Sequence, residues 1–269
     1  MSKKVYIVGA GPGAADLLTV RAATLLRAAD VVLHDDLVPL EILDLCAPSA
    51  QVINVGKRCG QRSRSQEQIN ALMVWHARET EAQAIVRLKS GDPAVFGRLG
   101  EEVDALRRAG VEFEIVPGIT AASAAAASAK ITLTDRRHAS ALTMVTAHNV
   151  RGEKLCASGF DPHHTSFAVY MPGPDYSKTA HELMQAGISG NTPCLLVSRA
   201  GRSDEQAYSF SLQEISSADH LEAPAILIVG EVARRNAIEL EKDLDELLAP
   251  TMATLKAHPG SRIEVAARR

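Results

Sequence analysis

Short apolar runs closed by glycine or polar residues alternate along this chain with longer stretches whose apolar residues recur at helical spacing. The first run, at 5–8, reads Val-Tyr-Ile-Val and ends on Gly9-Ala10-Gly11-Pro12-Gly13. It predicts a short buried strand and a turn, then a helix capped by Asp16 and carrying Leu17, Leu18, Leu25 and Leu26. Further strands are predicted at 31–33, 51–55, 85–89 and 111–116. Ser65 with Gln68 forms a capping box for a helix bearing Ile69, Leu72, Met73 and His76 on one face. Another helix follows Ser90-Gly91-Asp92-Pro93, with Glu101 and Glu102 in its first turn and Gly110 as its stop. Pro117-Gly118 then opens an alanine-rich helix over 120–129.

Strands alternating with helices predict an α/β sheet, mostly parallel. Around 131–139 the pattern breaks into a polar, arginine-bearing linker. A second series of strands is predicted at 142–146, 167–171, 194–198 and 225–229, with helices between them. The organisation expected is two α/β domains, 1–134 and 139–249. Over 250–269 Pro, Gly and Arg mix with little periodicity, which predicts a frayed tail.

Composition narrows the class of protein. The 269 residues are 46% apolar and 23% charged, an ordinary soluble balance in a chain long enough for two cores. The net charge of −3 gives no basic surplus for nonspecific nucleic-acid binding. Four residues precede the first strand, too few for a signal peptide, and no apolar run approaches the ~18 residues of a membrane span. A cytoplasmic protein is expected. Cys46, Cys59, Cys156 and Cys194 show no CxxC spacing and no paired-histidine pattern, so they read as reduced structural thiols, with no metal centre expected.

Four elements could carry chemistry. Gly9-x-Gly11-Pro12-Gly13 invites a dinucleotide reading, with Asp35 where a ribose-binding acid would stand. Pro12 removes an amide from that turn, however, and Ala14 replaces the third glycine, so nicotinamide and flavin are disfavoured. The others are the loop from Lys89 to Arg98, the segment Pro117-Gly118-Ile119-Thr120-Ala121, and Met171-Pro172-Gly173. Taken singly, they read equally as a tight turn, a close-packing helix start and a core methionine. Together they share one property: each lies at the carboxyl end of a predicted strand, where open α/β sheets bind ligands.

The same segments carry a resemblance. Val-Gly-Ala-Gly-Pro-Gly, Asp-Leu-Leu-Thr, Ala-Asp-Val-Val, Asp35 before Leu37-Val38, Val-Gly-Lys-Arg, Gln-x-x-Ile-Asn, Val-Arg-Leu-Lys, Gly-Asp-Pro, Phe-Gly-Arg-x-Gly-Glu-Glu and Val-Pro-Gly-Ile-Thr-Ala-Ala occur in order. From Val5 to about Val232 the chain resembles the S-adenosylmethionine-dependent tetrapyrrole methylases, and within them those that methylate uroporphyrinogen III. The resemblance implies two α/β domains with the cofactor in the cleft between them, and a homodimer. It implies two methyl transfers to uroporphyrinogen III, giving precorrin-2 and S-adenosylhomocysteine. A later precorrin methyltransferase is the nearest alternative; a diphthamide or rRNA methylase of the same fold, or a silent relative, lies farther off.

By position, the resemblance assigns Pro12, Ser90, Gly91, Asp92, Val95, Thr120, Ala121, Met171 and Ala200 to the cofactor. It makes Asp35 a proton acceptor and Lys57 a proton donor, where unaided residue chemistry would equally allow a helix cap and a solvated loop lysine. Uroporphyrinogen carries eight carboxylates, so Arg58, Arg62 and Arg64 in one loop, and Arg136 and Arg137 in the linker, are candidate substrate contacts. The chain departs from the family pattern at Asp36, where arginine is usual, and at Ala94 and Leu99. At Ser90, where glycine is usual, the backbone must keep φ negative.

Overall fold

Nine of the strands follow the apolar runs. The structure is a computed structural model and describes residues 3–56, 64–147, 161–173, 175–218 and 221–234. In chain order the first half contains β1 Lys4–Gly9, α1 Val20–Ala28, β2 Val31–His34, α2 Leu40–Leu43, β3 Gln51–Asn54, α3 Gln66–Glu79, β4 Ala84–Lys89, α4 Leu99–Arg108, β5 Phe113–Val116 and α5 Ala121–Ala129. The second half contains β6 Ala141–Thr146, β7 Thr165–Tyr170, α6 Tyr176–Gln185, β8 Pro193–Ser198, β9 Gln206–Ser211 and β10 Ala225–Val229.

The first sheet has the order β3-β2-β4-β1-β5, and every pairing in it is parallel. A parallel sheet is covered on both faces, which is why its strands read as nearly continuous apolar runs. Val8, Val32, Val86 and Leu88 meet Ala22, Leu25 and Leu26 of α1 and Ile42 of α2 on one face. Val5, Ile7, Leu33 and Ile85 meet Ile69 and Met73 of α3 and Val103 and Leu106 of α4 on the other. The Ser65–Gln68 capping box is present and starts α3 as expected.

The second sheet has the order β6-β7-β10-β8-β9 and is mixed: β6 and β7 run parallel, while β10 is antiparallel to β7 and β8. Its central strands alternate strictly. Ala168, Leu195, Val197, Ile226 and Ile228 face the alanines of α5, whereas Phe167, Val169, Leu196, Leu227 and Val229 face Ala180 and Leu183 of α6. The small side chains of α5, donated by the first half, let that helix lie close against the second sheet. Both sheets belong to one compact unit, Met1–Ala233. A second unit runs from Arg234 to Arg269, and the tail expected over 250–269 lies outside the described residues.

Two local expectations are corrected. Asp16 does not cap α1: it sits in a 3-10 turn, Ala15–Leu17, after which Leu18 and Thr19 are extended. The helix can begin only beyond them, so Thr19 is the cap, its Oγ1 accepting from the Ala22 amide at 3.2 Å. Between β8 and β10 the chain forms no α-helix among the described residues; it makes the edge strand β9 and a 3-10 turn, Glu214–Ser217.

Candidate active site

The loops leaving the carboxyl ends of all five parallel strands converge on one cavity of about 400 Å³. Pro12 comes from the loop after β1, Asp35 and Asp36 from that after β2, and Gly56 from that after β3. Ser90, Gly91, Asp92 and Val95 follow β4, and Thr120 and Ala121 follow β5. The second sheet closes the cavity with Tyr170 and Met171 at the end of β7 and Pro224 and Ala225 at the start of β10. A volume of this size falls in the range of small-molecule sites, which cluster at strand ends in α/β sheets.

The predicted residues divide accordingly. Asp35 and eight of the nine positions assigned to a cofactor line the cavity together. Ala200 does not line it; it is buried in the core between α5 and the second sheet, and its neighbour Gly201 passes Pro12 closely. Lys57, Arg58 and Arg62 lie outside the described residues. Arg64 donates to the Asn54 carbonyl at 3.4 Å and is not part of the lining. Arg136 is exposed, and Arg137 is held by Asp135 through bonds of 3.1 and 2.8 Å, both outside the cavity wall. The Arg137 side chain and amide hold the Asp135 carboxyl well below the usual carboxylate range.

Backbone contact explains the glycines. A Cβ on Gly118 would lie 2.3 Å from the Gly91 carbonyl oxygen, and one on Gly9 would lie 2.6 Å from Gly118 Cα. Three loops therefore touch where only glycine fits. Gly11 and Gly91 also exchange backbone hydrogen bonds of 3.2 and 2.7 Å. Asp92 ties the loops further, Oδ2 accepting from the Gly118 amide at 3.0 Å and Oδ1 from the Ala94 amide at 2.8 Å. The left-handed turn falls on Gly91 (φ 68°) and not on Ser90, so serine is accommodated where the family usually has glycine. Three other cavity residues, Phe96, Arg98 and Met171, hold φ between 50° and 55° without being glycine. Such conformations cost of order 1–3 kcal/mol each and persist where surrounding structure imposes them.

A buried ion-pair network that the sequence reading did not assemble stands behind Asp35. Arg87 on β4 is 2% exposed and Glu102 on α4 is fully buried. Arg87 donates from Nη2 to Asp35 Oδ1 at 2.5 Å and from Nε to Glu102 Oε1 at 3.0 Å. Its Nη1 donates to the carbonyls of Leu33 and Leu88 at 3.3 and 3.1 Å. Lys89 Nζ and Gln66 Nε2 reach the same Glu102 oxygen at 2.8 and 3.3 Å. Burial works against the Arg87 charge, but the Asp35 and Glu102 carboxylates outweigh it and raise its pKa. Burial, then the adjacent Arg87 charge, lowers Lys89 below the ordinary lysine range. Removing one member of a buried pair of this kind costs about 3–5 kcal/mol, because the other is left uncompensated. The available signal was the spacing of Arg87 and Lys89, which puts both on the face carrying Ile85, toward α3 and α4.

Tyr170 was also missed. Its hydroxyl is hydrogen-bonded to Thr120 Oγ1 at 2.6 Å and accepts from the Ala122 amide at 3.4 Å, so the second sheet caps α5, whose own Thr120 side chain does not. Its ring packs on Phe96 with centroids 4.9 Å apart, and burial raises its phenol pKa.

This fold and this cavity belong to a recognisable class. The chain is a member of the tetrapyrrole (corrin/porphyrin) methylases, whose family model matches residues 4–216. A uroporphyrinogen-III C-methyltransferase of Paracoccus denitrificans is 44% identical over 236 residues, 86% of this chain and 81% of that protein. Siroheme synthase 1 of Yersinia enterocolitica is 41% identical over 231 residues, 85% of this chain and 48% of that protein. The chain thus spans about half the length of the siroheme synthases it matches. A solved uroporphyrin-III C-methyltransferase from Thermus thermophilus, complexed with S-adenosylhomocysteine, shares the fold at a TM-score of 0.71 and 36% identity, over 86% of this chain and 93% of that one. The α/β class and the family expected from the sequence both hold.

Proposed function

We propose that the chain is a uroporphyrinogen-III C-methyltransferase. It adds two methyl groups to uroporphyrinogen III to give precorrin-2, using one S-adenosylmethionine and releasing one S-adenosylhomocysteine each time. The observation that carries this reading is the cavity itself, walled by five strand-end loops with the Asp35 carboxylate at its edge. We read its subunit as two α/β domains, 1–134 and 139–249, and its working form as a cytoplasmic homodimer. Among the described residues no helix is long and apolar enough to cross a membrane.

The residues present fit the cofactor. Among the described residues Ser90 Oγ is buried without a hydrogen-bond partner beside the cavity, and it is a polar contact available to a ligand. The close backbone packing at Gly9, Gly91 and Gly118 joins three of the loops, and Gly91 itself lines the cavity. Pro12, Ser90, Gly91, Asp92, Val95, Thr120, Ala121 and Met171 would hold the cofactor, with Ala200 packed behind them. When bound, S-adenosylmethionine supplies an electrophilic methyl group.

The chain's own residues then act on the tetrapyrrole. A pyrrole β-carbon forms the new carbon–carbon bond, and the macrocycle must shed one proton. Asp35 takes it, passing from carboxylate to carboxylic acid. Lys57 serves as the proton donor. Arg58, Arg62, Arg64, Arg136 and Arg137 are the cations assigned to the substrate's carboxylates. Tyr170 and Phe96, whose rings pack on each other, form part of the cavity wall.

Mass analysis of the product formed from uroporphyrinogen III and S-adenosylmethionine tests the proposal. Two added methyl groups are expected. No methylation of uroporphyrinogen III, with turnover of a precorrin instead, would reassign the substrate to a later step.

A further inference from the structure

Asp35 is not a free carboxylate. One of its oxygens is bound by a buried guanidinium whose other hydrogen bonds go to Glu102, Leu33 and Leu88. Arg87 is thereby tied to two regular elements, the central strand β4 that carries it and α4 that carries Glu102, while Asp35 stands in the loop after β2. Glu102 is the anchor: it is fully buried, and one oxygen collects Arg87, Lys89 and Gln66 from two elements. The Asp35 side chain is 29% exposed, while Arg87 is sealed beneath it.

We propose that Arg87, anchored by Glu102, is a positioning residue for the reaction: it holds one oxygen of Asp35 and leaves the carboxylate at the cavity wall as the proton acceptor. This rests on the reading of Asp35 as the base. Arg87 reaches the cavity wall, but four of its five N–H groups are engaged by Asp35, Glu102, Leu33 and Leu88, so the role proposed for it is exercised through Asp35. Among the described residues, the charged and titratable groups around Asp35 are Arg87 and Lys89 from β4, Glu102 from α4, and His34 and Asp36 in its own segment. Of these, Arg87 alone makes a direct ion pair with the Asp35 carboxylate. Its removal should therefore register at Asp35 first.

The test is a double-mutant cycle in which kcat and KM are measured separately. Arg87→Met keeps an unbranched side chain of similar length and removes the cation. Turnover should fall by about 10–100-fold, as a misplaced catalytic group does. The loss should fall on kcat, with KM for uroporphyrinogen III within about threefold of the wild type, because a positioning residue acts on the reacting group and not on the bound substrate. S-adenosylhomocysteine affinity should stay within about threefold. On an Asp35→Asn background the same change should cost little more, since a residue that acts through Asp35 has nothing left to position. Losses that multiply, or a loss confined to KM, would overturn the proposal. Should Arg87→Met not fold, Arg87→Lys carries the same cycle: it keeps the charge, loses the fork, and should lower kcat while leaving KM within about threefold. Full turnover by Asp35→Asn alone would instead refute the reading of the base, a separate outcome.

Discussion

Gly118 sits where three strand-end loops meet, and replacing it by alanine should break the cavity without touching any side chain in it. The added Cβ would stand 2.3 Å from the Gly91 carbonyl oxygen and 2.9 Å from Gly9 Cα. Ordinary heavy-atom contact is about 3.5 Å, so the loops must separate by roughly 1 Å. Both obstacles are backbone, and neither can rotate aside. Overpacking of this kind costs about 1–3 kcal/mol, and here the upper end applies. At about 2–4 °C per kcal/mol for a unit of this size, melting should fall by roughly 6–12 °C. The Gly118 amide also donates to Asp92, so the displacement pulls the loop after β4 away with it. Binding of S-adenosylhomocysteine, measured by calorimetry, should weaken more than about tenfold, or ~1.4 kcal/mol. Gly100→Ala is the control: it lies in α4 with nothing within 4 Å of the new methyl group. It should leave binding unchanged and stabilise by about 0.5–1 kcal/mol, the usual gain of alanine over glycine in a helix. If Gly118→Ala melted and bound like the wild type, the argument from backbone contact would be wrong.

Four further outcomes are expected. Asp35→Asn, nearly isosteric, should reduce turnover by roughly 10²–10⁴ while S-adenosylhomocysteine affinity changes less than about threefold, and a marked loss of affinity would make the residue a ligand of the cofactor instead. Tyr170→Phe keeps the ring against Phe96 but loses the cap on α5, and its melting temperature should drop by a few degrees for a loss of about 1–2 kcal/mol. Burial pushes the Cys194 thiol up to about 12 from an ordinary 9.0, so the folded state keeps a proton that the unfolded chain releases; its contribution is intact below pH 9 and declines as pH climbs toward 12. Denaturant midpoints of wild type should accordingly fall relative to Cys194→Val as pH rises through that window, and parallel curves would deny the shift. Light scattering at micromolar concentration should give twice the subunit mass, and a monomer would remove the dimer from the proposal while leaving the chemistry.

The fold was legible where burial is two-sided. The strands at 5–8, 31–33, 85–89 and 225–229 are apolar because helices cover both faces of each sheet. β9 was not, because Gln-Ala-Tyr-Ser-Phe-Ser lies at a sheet edge with much of its surface in solvent, and its polar residues read as loop. Asp16 looked like a cap by type, but the extended backbone at Leu18 and Thr19, invisible to residue pattern, set the helix start. In the site, glycines and Asp92 announced themselves because turn chemistry is local. Arg87 and Glu102 did not: a charge in a strand and an acid in a helix's first turn both have ordinary surface explanations. Only tertiary packing brings them within 3.0 Å. Tyr170 escaped for the same reason, reaching from one sheet to cap a helix fifty positions away.

The parallel order of the first sheet has a consequence during synthesis. β1 lies between β4 and β5, with Lys4 opposite Ala84 and Val5 opposite Phe113, and it makes no pairing with the strand that follows it in the chain. At roughly 5–20 residues per second, a ribosome takes about 4–16 s to deliver the first of those partners. Throughout that interval Val5, Ile7 and Val8, which end fully buried, remain an unpaired apolar edge. The glycine turn at Pro12 is thus made well before the strands and loops that enclose it, and its site can assemble only once β4 and β5 have followed.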